Sequence, residues 1–167
     1  MTDSVAEGLA RERAHRQLLT QLVRHLFGWE WRQDWQAWCP PGWPPIEVSN
    51  PPYATWATPL EQHGGVPPGH TAGGSRDERG RPIIPEYVYH ADATELIWQW
   101  LHAQPGIQSV RFIPLPIPPD SLRGIRPWRC EIVIQPGSVV TGEGQTHGEA
   151  LCYAVLALAT THAAAVG

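Results

Sequence analysis

Thr141-Gly-Glu-Gly-Gln-Thr-His-Gly-Glu149, running directly into Ala150-Leu-Cys-Tyr-Ala-Val-Leu-Ala-Leu-Ala159, is the stretch that decides how this chain folds. Its first part reads as a polar, Gly-rich turn, with a helix expected to begin near Gln145. Thr146 followed three residues later by Glu149 has the form of a capping box, in which each side chain satisfies a backbone N–H left over at a helix start. The residues that follow are apolar on nearly every side, and a helix of that kind is either fully buried or membrane-spanning. The run is too short to cross a bilayer, which takes about 20 apolar residues. A buried C-terminal helix is the consequence, and it sets a core without supplying any chemistry.

Upstream of that helix, Trp128 to Ile134 reads as a strand with Cys130, Ile132 and Ile134 on one face. Ile107 to Leu115 reads as another, although Ile107, Val110 and Phe112 alternate only in part. A turn around Pro114, Pro116, Pro118 and Pro119 joins the two. Before them, Asp92 to His102 is expected to be a helix, capped by Asp92 with Glu95 completing a second box, and ended by Pro105-Gly106. Leu96, Ile97, Trp100 and Leu101 form its inner face. The N-terminal helix runs roughly from Ser4 to Phe27. Leu18, Leu19, Leu22, Val23 and Leu26 give it one apolar stripe, and Gly28 stands where a C-terminal cap belongs. Its first half is polar, so residues 1–17 form a helical extension that projects from the core or packs on a partner.

Residues 29–60 carry Trp29, Trp31, Trp35, Trp38, Trp43 and Trp56 among many prolines. Trp29 and Trp31 alternate as in a strand, whereas Trp31, Trp35 and Trp38 are spaced as in a helix, and periodicity does not choose between them. The prolines argue against regular structure after Cys39. The segment is expected to fold over the core as an aromatic cover. Trp29, Trp98, Trp100 and Trp128 are assigned to packing, Trp43 and Trp56 to the surface. Residues 61–85 have the composition of a Gly/Pro/Arg-rich insert loop, and a loop of that length is either functional or disordered.

The 167 residues fit a single domain, and the net charge of −4 argues against binding a nucleic-acid polymer. All 12 basic residues are arginines, a choice that suits planar anionic ligands. Three cysteines are too few and too scattered for a disulfide framework or a zinc ribbon. The N-terminus lacks the basic start and apolar core of a signal peptide, and no membrane span is evident, so a cytoplasmic location is expected.

Three local motifs resemble a small family from bacteriophage genomes, the phage ABA sandwich domain. They are Leu22-Val-Arg-His-Leu-Phe-Gly-Trp29, Tyr89-His-Ala-Asp-Ala-Thr-Glu-Leu-Ile-Trp98, and Trp128-Arg-Cys-Glu-Ile-Val-Ile134 taken with Gly144-Gln-Thr-His-Gly-Glu-Ala-Leu-Cys-Tyr-Ala-Val155. The matches cover mostly residues 18–40 and 87–160; the N-terminal extension and the 61–85 insert depart from the pattern. The resemblance implies a phage or prophage origin and carries no catalytic residue across.

The histidines lack the i, i+4 spacing and accompanying carboxylate of a zinc helix, and no Gly-x-Ser-x-Gly elbow is present. No metal, cofactor or catalytic residue is therefore assigned. Gly73-Gly74-Ser75-Arg76 with Arg79 and Arg81 can cradle a phosphate through backbone N–H groups and guanidinium forks. Read plainly, the same residues are a solvated loop balanced by Asp77 and Glu78. Tyr87, Tyr89, His90 and Trp56 are the rings expected beside that loop, giving a site for a small nucleotide-like anion. The fold expected is α+β, or a three-layer α/β/α arrangement with a small antiparallel sheet packed between helices. The function expected is a non-enzymatic phage accessory protein that sequesters such a ligand, plausibly a host anti-phage defence signal, acting as a homodimer. The alternative is a protein–protein interaction module, inhibiting a host or phage protein through its aromatic and Pro-rich surface.

Overall fold

A computed structural model describes residues 2–43, 78–79, 81–119, 121 and 124–166. Among them are three helices and two small antiparallel sheets, an α+β fold. The chain divides into two compact units, Met1–Pro85 and Glu86–Gly167.

The first unit opens with helix α1 (Thr2–Phe27). Leu18, Leu19, Leu22 and Val23 of its stripe are buried, whereas residues 5–14 are exposed, as their polarity requires. Gly28 takes φ +67°, the left-handed conformation that ends a helix without a Cβ penalty, and the Trp29 N–H returns to the Val23 carbonyl at 3.0 Å. Next comes a hairpin of β1 (Glu30–Arg32) and β2 (Ala37–Cys39), in which Trp31 lies opposite Trp38. The strand period therefore wins over the helical one. The four-residue tip resolves the ambiguity: Gln36 turns the chain at φ +50°, with its side-chain amide donating to the Gln33 carbonyl, and Trp35 is left in the turn. Trp43, expected at the surface, is buried with Trp29 and Cys39, and its ring meets Trp35 edge-on at 5.5 Å.

The second unit holds α2 (Ala91–His102), β3 (Ile107–Pro114), β4 (Trp128–Ile134), β5 (Ser138–Gly144) and α3 (His147–Val166). The strands form a meander in the order β3-β4-β5, so the sheet has three strands and not two. Within this unit α3 packs on β4 and β5, and α2 packs on α3. Val110 and Phe112 pair with Ile132 and Cys130, but a bulge shifts the register between Ile107 and Ser109. The extra residue, Gln108, places Ile107 and Val110 on one face, which explains why the alternation was only partial.

The Gly-rich turn is instead strand β5. Its glycines are needed for packing: a Cβ on Gly142 would lie 2.1 Å from the Ala154 nitrogen, and one on Gly144 would lie 2.7 Å from that of Ala150. At Gly142 every close contact is to helix backbone, whereas at Gly144 the Glu149 Cβ and Cγ are as near as the Ala150 nitrogen, so α3 lies closest to β5 at Gly142. Gly148 seats the first turn of α3 in the same way, 2.4 Å from the Val88 carbonyl by the same measure. Thr146 caps this helix as expected, its hydroxyl accepting from the Glu149 N–H at 3.1 Å. The Glu149 carboxylate reaches back to the N–H of Gln145 at 2.7 Å, one residue earlier than the box predicts. Thr146→Ala should cost about 1 kcal/mol of stability, the usual worth of such a cap, measurable as a shift in the urea midpoint at unchanged slope. The second box fails. His90, not Asp92, is the cap residue of α2 and makes no side-chain cap bond, while Asp92 sits in the first turn. The Thr94 hydroxyl donates instead to the Tyr87 carbonyl at 2.7 Å.

Candidate functional site

Among the described residues of the first unit, Arg24, Gly28, Trp29, Glu30, Trp31 and Trp38 line an open hollow of about 540 Å³. Local sequence explains how each part arrives. Arg24 stands in the last turn of α1, one turn before the chain reverses at Gly28. The reversal brings β1 back beside the helix end, and the antiparallel register places Trp31 and Trp38 side by side. Their ring centroids are 6.1 Å apart in an edge-to-face arrangement, a geometry aromatic pairs favour. Trp31 is 50% exposed, an unusual amount of open indole, and its Nε1–H donates to the Gln33 side chain at 3.3 Å. Trp29 forms the buried floor.

The charges differ in their availability. Arg24 is exposed and has no carboxylate partner among the described residues. Glu30 also lines the hollow, and its charge acts on Arg32, two residues along β1. Arg32 is occupied: its Nε and Nη2 donate to the two oxygens of Asp34 at 3.0 and 2.6 Å, and its Nη1 donates to the Trp43 carbonyl at 2.6 Å. Those hydrogen bonds hold the Asp34 carboxyl below its ordinary range and raise the Arg32 guanidinium. The hollow therefore presents two indoles, the Arg24 guanidinium and the Glu30 carboxylate.

Among the described residues, none of those assigned from sequence is a lining residue of this hollow. Trp56, Arg76 and most of the 61–85 insert lie outside the described residues. Arg79 is exposed in a turn. Arg81 is half-buried and donates to the Gln36 carbonyl at 3.4 Å, which brings it to the tip of the hairpin. Tyr87, Tyr89 and His90 belong to the second unit. Tyr87 is wholly buried, with burial raising its hydroxyl well above the ordinary value, so no face of that ring is open to a ligand. Tyr89 is 65% exposed and His90 is exposed at the start of α2. Sequence reasoning missed Arg24, Trp31 and Trp38 as a group; the signal was a lone arginine in the final helical turn followed by alternating tryptophans.

In the second unit a row of rings runs His102, Trp98, Phe112, His147, Trp128, with successive centroids 5.9, 6.3, 4.9 and 4.0 Å apart. The helix start beside it is not available to an anion, because the Glu149 carboxylate already sits there. Cysteine chemistry is likewise closed off. Burial pushes the thiols of Cys130 and Cys152 up to about 12, and raises that of Cys39. A protonated, buried thiol is a poor nucleophile. A thiol-specific disulfide reagent at neutral pH should therefore label native protein only as fast as it opens, and denatured protein at once; rapid native labelling would contradict that burial.

Among the described residues no three His, Cys, Asp or Glu side chains are grouped to hold a metal ion, and no helix is long and apolar enough to cross a membrane. No family model, no curated protein and no solved structure matches the chain.

Proposed function

We propose that this protein is a non-enzymatic binder that takes up and withholds a small, flat, anionic ligand of nucleotide type in the hollow of its first unit. The observation that carries the reading is Arg24, without a carboxylate partner, beside the open edge-to-face pair Trp31 and Trp38. Stacking a base on an aromatic ring contributes about 1–3 kcal/mol, and a guanidinium supplies a directional partner for phosphate. A hollow of about 540 Å³ is within the usual size of small-ligand sites, roughly 300–1,000 Å³. The resemblance to the phage ABA sandwich domain supplies the setting: a phage accessory protein in the host cytoplasm, depriving host defence of a nucleotide signal.

Thermal melts with AMP, GMP, cyclic AMP, cyclic GMP and inorganic phosphate test this. A bound nucleotide at a hundredfold excess over its dissociation constant should stabilise the fold by about 2.7 kcal/mol, whereas phosphate alone should do far less. Chromatography of the same samples should return the nucleotide unchanged. A flat panel would sink the reading and favour the alternative, an interaction module; the exposed apolar Ile117 and Ile125 in the Pro-rich connection speak for that one. Conversion of any nucleotide would replace both with an enzyme.

A further inference from the structure

The hollow of the first unit holds a carboxylate that the stacking and phosphate contacts leave unused. Glu30, the first residue of β1, lines it and is exposed. Arg24, in the last turn of α1, lines it too. Among the described residues of this unit, the ion pairs join Arg16 to Glu12 and Arg32 to Asp34, leaving Arg24 and Glu30 out. Arg32, on which the Glu30 charge acts, is itself held by Asp34 and by the Trp43 carbonyl. Two opposite charges in one hollow, not spent on each other, suit a ligand with a complementary group for each.

For a nucleotide, the phosphate answers Arg24 and a base edge must answer Glu30. A carboxylate only accepts, and it does so through two oxygens side by side. The pairing edge of guanine sets two donors next to each other, the N1–H and the N2 amine, so both oxygens are satisfied at once. Adenine sets its N6 amine beside the bare N1 lone pair, and cytosine sets its N4 amine beside a bare N3. Each of those forces one carboxylate oxygen against a lone pair. Uracil offers a single N3–H between two carbonyl oxygens. Guanine is the one base of the four that matches without repulsion. As a purine it also offers a two-ring face to Trp31, which is half-exposed.

We infer that the hollow is a guanine-nucleotide site. Glu30 accepts from the N1–H and the N2 amine, the base lies against the Trp31–Trp38 pair, and Arg24 takes the phosphate. This rests on the reading of the hollow as a nucleotide site and adds the base to it. Calorimetric titration of the full chain with GMP, inosine monophosphate and AMP, in the parent and in Glu30→Gln, is the test. GMP should bind the parent at least about tenfold more tightly than AMP, the usual worth of a two-bond base contact. Inosine monophosphate keeps the N1–H but lacks the N2 amine, and should fall between them. A glutamine amide both accepts and donates, which suits the amine and N1 of adenine. In Glu30→Gln, GMP should therefore lose about tenfold while AMP gains. The parent's ratio of GMP to AMP affinity decides the matter even if the variant melts early. Equal affinities in the parent, or a substitution that moves both nucleotides alike, would overturn the base assignment and leave the nucleotide reading standing. Binding of none of the three would overturn both.

Discussion

Gly142→Ala is expected to prevent the second unit from folding, although it adds a single methyl group. The Cβ would fall 2.1 Å from the Ala154 nitrogen and 2.6 Å from both the Ala150 carbonyl oxygen and the Tyr153 carbonyl carbon. None of these atoms belongs to a side chain that can rotate away. Relief requires the whole of α3 to lift from β5, and α3 carries Leu151, Cys152, Ala154, Val155 and Leu158, all buried. Overpacking a core usually costs about 1–3 kcal/mol because side chains can give. Here the backbone must move, which puts the change among the rare substitutions that cost more than about 4 kcal/mol. Set against a typical stability of about 5–15 kcal/mol, that leaves little or nothing. Circular dichroism melts should show a lost or strongly lowered transition. Gly8→Ala is the matched control: nothing lies within 4 Å of its Cβ, and helix propensity favours alanine there by up to about 1 kcal/mol. If Gly142→Ala melts like the parent, the contact between α3 and β5 is not as described.

Trp31→Ala is expected to be the most damaging single change for binding. Removing one stacking face forfeits about 1–3 kcal/mol, roughly a fivefold to hundredfold rise in the nucleotide dissociation constant. The fold should tolerate it. Trp31 is half-exposed at the edge of a short hairpin, and its cross-strand pairing with Trp38 is worth about 0.2–1 kcal/mol. Trp29→Ala would confuse the issue, since that ring is buried and its truncation should cost about 3–5 kcal/mol of stability. Calorimetric titration of Trp31→Ala with whichever nucleotide shifts the melt is the measurement. An unchanged dissociation constant would remove the hairpin from the site.

Several elements of both units were legible in the sequence because their signals are local. Trp128–Ile134 alternates cleanly, Thr146 and Glu149 are three residues apart, and Gly28 follows the last turn of an apolar stripe. β5 was not legible, since glycine has poor strand propensity and ordinarily marks a turn. What it serves here is close approach by a helix, a demand made by residues five to twelve positions further along. Asp92 looked like a cap on chemistry alone, whereas the helix starts one residue before it and leaves His90 in the capping place. Trp43 was assigned outward on the strength of its proline neighbours, but burial followed the size of the ring. The site was harder still. Clustered arginines drew attention to the 71–81 stretch, while Arg24 is a single arginine on a helix end. Only the reversal at Gly28 and the hairpin register bring it next to two indoles, and neither is visible as spacing.

The clasp formed by Arg32 has a kinetic meaning. Two bonds to Asp34 and a third to the Trp43 carbonyl fix the hairpin before any small molecule arrives. Five fixed donors in a planar fork can do this; an ammonium group in the same place offers no such fork. A receptor stiffened in advance loses little freedom on capture, so more of the contact energy appears as affinity. Capture should then proceed in one step, with an observed rate that climbs linearly with ligand concentration and no plateau from a slow rearrangement. A protein that competes with a cell's own receptors for a scarce messenger would gain from that speed.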